Sequence, residues 1–68
     1  MQVYVNGEVK EFCGALSLSE LVTQLDLPGT RIAVELNREV VRRNDWSSTM
    51  LHEDDRVEIV HFVGGGAD

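Results

Sequence analysis

Ser17-Leu18-Ser19-Glu20-Leu21-Val22-Thr23-Gln24-Leu25-Asp26-Leu27-Pro28-Gly29 decides the fold, because it carries the helical pattern around which the rest must pack. Ser17 followed by Glu20 is a capping box: the hydroxyl accepts from a free backbone N–H while the carboxylate reaches back to the cap residue's own N–H. Leu18, Leu21, Val22 and Leu25 then recur at helical spacing and make one apolar stripe. Pro28 disfavours helical geometry in the residue before it, so the spacing predicts a helix over about 18–26.

On the N-terminal side, Val3, Val5, Val9 and Phe12 bracket Asn6-Gly7. An Asn-Gly pair between alternating apolar residues signals a hairpin with a type I′ turn, with strands at about 1–6 and 8–12. On the C-terminal side, Ile32-Ala33-Val34-Glu35-Leu36 reads as a buried strand, and Asn37-Arg38 turns it into a short strand at 39–41. Residues 43–52 are polar apart from Trp46, Met50 and Leu51, and are expected to be an irregular loop or short helical turn that buries the indole in a satellite cluster. The stretch from Arg56 to Val63 is the last strand, with Val57 and Ile59 on one face, joined by His61 or Val63, and Val60 and Phe62 on the other. The order strand, strand, helix, strand, strand, strand predicts an α+β domain: a mixed sheet of four to five strands cupped around one helix. Residues 1–63 form this domain and 64–68 a flexible C-terminal tail.

A chain of 68 residues has room for one core and no second domain, since at this size folding buries only about 60% of the unfolded surface. A deep catalytic cleft is not expected. The composition, 43% hydrophobic and 26% charged, is that of a packed domain. The single Cys13 excludes an internal disulfide and a cysteine-based zinc site, so neither metal nor cofactor is expected. The first residues lack the basic start and apolar run of a secretory signal, and no apolar stretch approaches a membrane span, so a cytoplasmic protein is expected. A net charge of −6 repels phosphate backbones and anionic lipid, which argues against nucleic acid and membrane partners and favours a basic protein surface.

Gly64-Gly65-Gly66 follow directly on the last strand. Glycines bury no side chain and lose much backbone entropy on ordering, so a mobile tail thin enough to thread a narrow channel is expected. A glycine carboxylate has no Cβ to obstruct its carbonyl carbon and is ionised at neutral pH, so it is suited to attack on ATP. The acyl-adenylate so formed is an electrophile for a persulfide or thiol. In that scheme the chain is a co-substrate, and the catalytic residues belong to its partners. Ordering the tail costs on the order of 1–2 kcal/mol per residue, which backbone hydrogen bonds along it can offset. A second contact, on the open sheet face with Phe62 and Val60 as apolar members, would fix the partner's identity.

Val34-Glu35-Leu36-Asn37-Arg38-Glu39-Val40-Val41-Arg42-Arg43, then Trp46, then Asp55-Arg56-Val57-Glu58-Ile59-Val60, and finally Val63-Gly64-Gly65-Gly66 resemble the thiamine-biosynthesis sulfur carriers, the ThiS family of ubiquitin-like β-grasp proteins. The resemblance runs through the whole chain, including Asn6-Gly7 and Leu18-Leu21-Leu25. It implies that Gly66 is adenylated by an E1-like ATP-dependent enzyme and converted to a thiocarboxylate with sulfur from a persulfide-bearing protein. The sulfur then goes to a thiazole synthase, with Gly64, Gly65 and Val63 as the approach that enters the partner's channel.

Two departures stand out. Glu53-Asp54-Asp55 puts aspartate where the family often has glycine in a tight turn, and Ala67-Asp68 extend beyond the family's usual glycine end. A processing peptidase is therefore expected to remove Ala67-Asp68. The extension also leaves open a carrier for another sulfur pathway, to cysteine, methionine or another cofactor. A ubiquitin-like tagging module that forms amide bonds with lysines is a further alternative, as is an inert tail on a binding domain. Cys13 has no cationic neighbour in sequence to lower its pKa and reads as a small packed residue in preference to a persulfide carrier. His61 reads as a structural imidazole, and no Ser, His or Asp arrangement has the context of a hydrolase.

Overall fold

A computed structural model of the chain describes residues 1–27 and 31–61. Its elements are β1 (Gln2–Val5), β2 (Glu8–Glu11), α1 (Leu18–Gln24), β3 (Ile32–Leu36), β4 (Glu39–Val41), a 3₁₀ helix (Arg43–Ser48) and β5 (Arg56–His61). The strands form one five-stranded sheet in the order β2-β1-β5-β3-β4. β1 and β5 run parallel and the other neighbours antiparallel, so the sheet is mixed, as expected.

Both hairpins close through two-residue turns, Asn6-Gly7 and Asn37-Arg38. All four residues have positive φ, 50° and 85° in the first and 51° and 74° in the second, which is the condition of a type I′ turn. Asparagine tolerates that geometry because its short polar side chain bonds locally.

The capping box forms as read: Glu20 N–H donates to Ser17 Oγ at 3.1 Å, and Ser17 N–H to Glu20 Oε1 at 2.8 Å. The helix ends earlier than the proline suggested. Asp26 adopts φ 58°, its N–H donates to Thr23 O, and Leu27 N–H donates to Val22 O. Those two bonds are a Schellman motif, which satisfies the last carbonyls before Pro28 is reached. Leu18, Leu21 and Val22 are buried against Val3, Val5, Ile32, Val34, Val57 and Ile59. Removing such a side chain from water is worth about 1.5–3 kcal/mol, enough to fix the helix on this sheet face.

Residues 43–48 are the helical turn anticipated, and Trp46 is buried, its Nε1–H donating to Val41 O at 2.9 Å. The satellite cluster is not. Trp46 and Leu51 belong to the main core while Met50 is exposed, because Leu51 N–H bonds to Leu16 O and the Ser17–Met50 bridge pins residues 49–51 to the start of α1. Val9 is also exposed, since its partner Tyr4 lies on the face away from the helix. β5 is described to His61, so the expected continuation through Val63 and the boundary between domain and tail lie outside the described residues.

Asp54 sits at φ 67°, the left-handed geometry that its place in the Glu53-Asp54-Asp55 turn suggested. Its N–H donates to Gln2 O at 2.7 Å, a bond glycine would keep. Relief of the left-handed cost, about 1 kcal/mol, outweighs the extra freedom of an unfolded glycine. Asp54→Gly should therefore raise the melting temperature by about 2–4 °C in a thermal unfolding scan, and a fall would contradict this account.

Candidate functional site

The site expected from sequence is the end of β5 together with the sheet face that α1 leaves open. β5 lies in the middle of the sheet, and an asparagine from each hairpin secures it. At its start, Asn37 N–H donates to Arg56 O at 2.8 Å, Arg56 N–H donates to Asn37 Oδ1 at 3.0 Å, and Asn37 Nδ2 donates to Asp55 Oδ1 at 3.1 Å. Further along, β1 has already turned away at Asn6. Its side chain replaces the missing backbone: Ile59 N–H donates to Asn6 Oδ1 at 2.7 Å, and Asn6 Nδ2 donates to Ile59 O at 3.4 Å. The side-chain amide thus continues the β1–β5 ladder two residues toward the chain's C-terminal end.

The open face is ordered in rows across the strands. Val57 and Ile59 point into the core, so Arg56, Glu58 and Val60 point outward. Register places Val9, Tyr4 and Arg56 in one row, with the Arg56 guanidinium 4.7 Å from the centroid of the Tyr4 ring. The next row is Glu58, Glu35 and Val40, and the next pairs Val60 with Ala33. Val60 is 53% exposed and Val40 69%, so the face presents apolar surface to solvent. A shallow depression there, of about 590 Å³, is lined by Glu35, Arg38, Arg56, Glu58 and Val60.

Val60 is thus on the face where sequence placed it. Phe62, Val63, Gly64, Gly65 and Gly66 lie outside the described residues. Cys13 is exposed and not packed, as it follows the edge strand β2 at the left-handed Gly14. His61 is likewise exposed, not enclosed, because at the end of β5 it has passed beyond the reach of α1's stripe. Among the described residues no group of three His, Cys, Asp or Glu side chains is placed to hold a metal, and no helix is long and apolar enough to cross a membrane. A second groove, about 300 Å³, lies between β1–β2 and the ends of α1 and β5; on its β2 side Lys10 and Glu8 pair with each other at 3.8 Å.

Sequence reading passed over Asn6 and Asn37 as more than turn residues. Their recurrence directly after the last apolar residue of a strand, Val5 and Leu36, was the available signal, but their partners lie 53 and 18–19 residues away. The ordered rows were hidden for the same reason, since alternation gives a face and only register gives neighbours.

A mixed sheet wrapped on one helix, with an open apolar-and-charged face, defines a small ubiquitin-like β-grasp domain. The ThiS family model matches residues 3–66, and the chain belongs to that family. The crystal structure of a thiamine biosynthesis protein (ThiS) from Geobacter metallireducens is similar over 97% of this chain and 100% of that one, with a TM-score of 0.84 and 35% identity. The sulfur carrier protein ThiS of Escherichia coli is 24% identical over 66 residues, 97% of this chain and all of that protein. A thiazole synthase of Paramagnetospirillum magneticum is 32% identical over 68 residues, the whole of this chain, which spans only 21% of that protein's length.

Asn6→Gly keeps the positive φ of the turn and removes both bonds to Ile59. The Ile59 amide should then exchange with solvent faster, and stability should fall by about 1–2 kcal/mol. Unchanged exchange at Ile59, read by NMR, would show that the side chain is not what secures the strand.

Proposed function

We propose that this chain is a sulfur carrier of thiamine biosynthesis that works in the cytoplasm as a protein co-substrate and not as an enzyme. The observation that carries this reading is the extent of the family match, which ends on Gly66. The names borne by relatives support it from two sides: one is a sulfur carrier, and another is a thiazole synthase that contains a stretch similar to this entire chain.

In this reading the Gly66 carboxylate attacks the α-phosphorus of ATP on an E1-like adenylating enzyme, and pyrophosphate leaves. The terminal sulfur of a persulfide-bearing protein then attacks the acyl carbon and displaces AMP. A thiol attacks the donor's sulfur in the resulting acyl disulfide, forming an ordinary disulfide and releasing the thiocarboxylate, which delivers sulfur to thiazole synthase. Val63, Gly64 and Gly65 supply the thin approach, and Phe62 and Val60 the apolar contacts beside it. The folded domain and the short glycine tail divide the work: the domain is recognised, and the tail reacts. Ala67-Asp68 stand between Gly66 and a free carboxylate, so a peptidase must cut after Gly66 first.

The test is ATP–pyrophosphate exchange with an E1-like adenylating enzyme of the same host, comparing the full chain with one ending at Gly66. The shorter chain should support exchange and, with a persulfide donor, gain one sulfur in place of one oxygen by mass spectrometry. The full chain should do neither without processing. Covalent conjugates to lysines of other proteins, with no sulfur gain, would instead identify a tagging module.

A further inference from the structure

Along the outer face of β5, three consecutive outward positions differ in kind: Arg56 is cationic, Glu58 anionic and Val60 apolar. Each is about 7 Å from the next, and the sequence of rows runs toward the chain's C-terminal end. The Arg56 row also holds Tyr4 and Val9. Arg56 has Arg38 near it at the rim of the same depression, Glu58 lies directly opposite Glu35, and Val60 lies opposite Ala33, with Val40 beside Glu35.

The pairing of Glu58 with Glu35 is unfavourable in the isolated chain. Like charges directly opposite on neighbouring strands repel, and here the two carboxylates occupy one cross-strand pair. Among the described residues neither takes part in an ion pair within 4.0 Å, while the nearest cation along the strand, Arg56, lies over the Tyr4 ring. A positive side chain from outside would relieve this repulsion, and flanking Val40 and Val60 would shield the new ion pair from water.

We propose that this face is a polarity-ordered docking surface for a protein that presents the complementary order: apolar nearest its tail-accepting channel, then an Arg or Lys seated between Glu35 and Glu58, then an acidic side chain against Arg56 and Arg38. The inference rests on the carrier reading for its partner, the adenylating enzyme, and adds what that enzyme's surface must look like. The order has a geometric purpose. Sliding the domain by one row brings like charges together, and turning it around sets Arg56 against the partner's apolar row and Val60 against its acidic one, leaving both charges desolvated and unpaired, so only one placement is favourable. From Val60 to Gly66 the chain reaches at most about 20 Å. A placement fixed by three rows therefore determines where the reacting carboxyl can go.

The deciding variant exchanges two charges and leaves composition and net charge unchanged: R56E together with E58R, in a chain ending at Gly66. Binding of parent and variant to the host's E1-like adenylating enzyme is measured by titration calorimetry without ATP, at low and high salt. We expect the exchanged variant to bind at least about tenfold more weakly, with the parent's affinity falling as salt rises. E58K alone, at an exposed position that no core contact involves, should show a similar loss, and melting temperatures of all three proteins establish that they are folded. Equal affinity of parent and exchanged variant would overturn the proposal, as would a folded parent that does not bind. A parent that binds with the expected order dependence yet never supports pyrophosphate exchange would leave the docking surface standing and remove the carrier chemistry.

Discussion

The sheet holds together because its final strand is its central one. β5 pairs with β1 on one side and β3 on the other, and within the sheet the two hairpins meet only through it. Its bond to β1 is the shorter ladder, spanning Tyr4–Arg56 and Val5–Val57, whereas β3 matches it over five residue pairs. The Asn6 side chain makes good part of that deficit. The buried valines and isoleucines of the same three strands then give α1 a continuous surface to cover.

Asn6 and Asn37 show how one residue type serves two purposes in a chain this small. Each adopts the left-handed geometry that a tight turn demands, and each turns its amide back to a backbone group of β5, Asn37 also donating to the Asp55 carboxylate. A glycine would supply the geometry without the bond, and a longer polar residue the bond without the geometry. β5 is thereby secured at Arg56 and at Ile59 without any contribution from the open face.

Much of this was legible beforehand because the decisive signals were local. A capping box, an apolar stripe, an Asn-Gly turn and an alternating strand each lie within about ten residues and report one element. The helix terminus was harder, because the Schellman bonds depend on Asp26 taking a conformation that aspartate adopts only in context. Met50, Cys13 and His61 were read by residue type, yet their exposure follows from where neighbouring segments end. The rows of the open face depended on register, which a single strand does not encode.

One consequence of the strand order concerns how the protein is made. A nascent chain that has reached only residue 50 holds both hairpins and the helix but has no strand to set between them, so it carries a surplus of uncovered valine and leucine surface. Its architecture can close only when the final segment leaves the ribosome, in a single late step joining residues more than 50 positions apart. The strand that arrives after the others thus completes the fold, and a chain broken off before it cannot assemble the sheet.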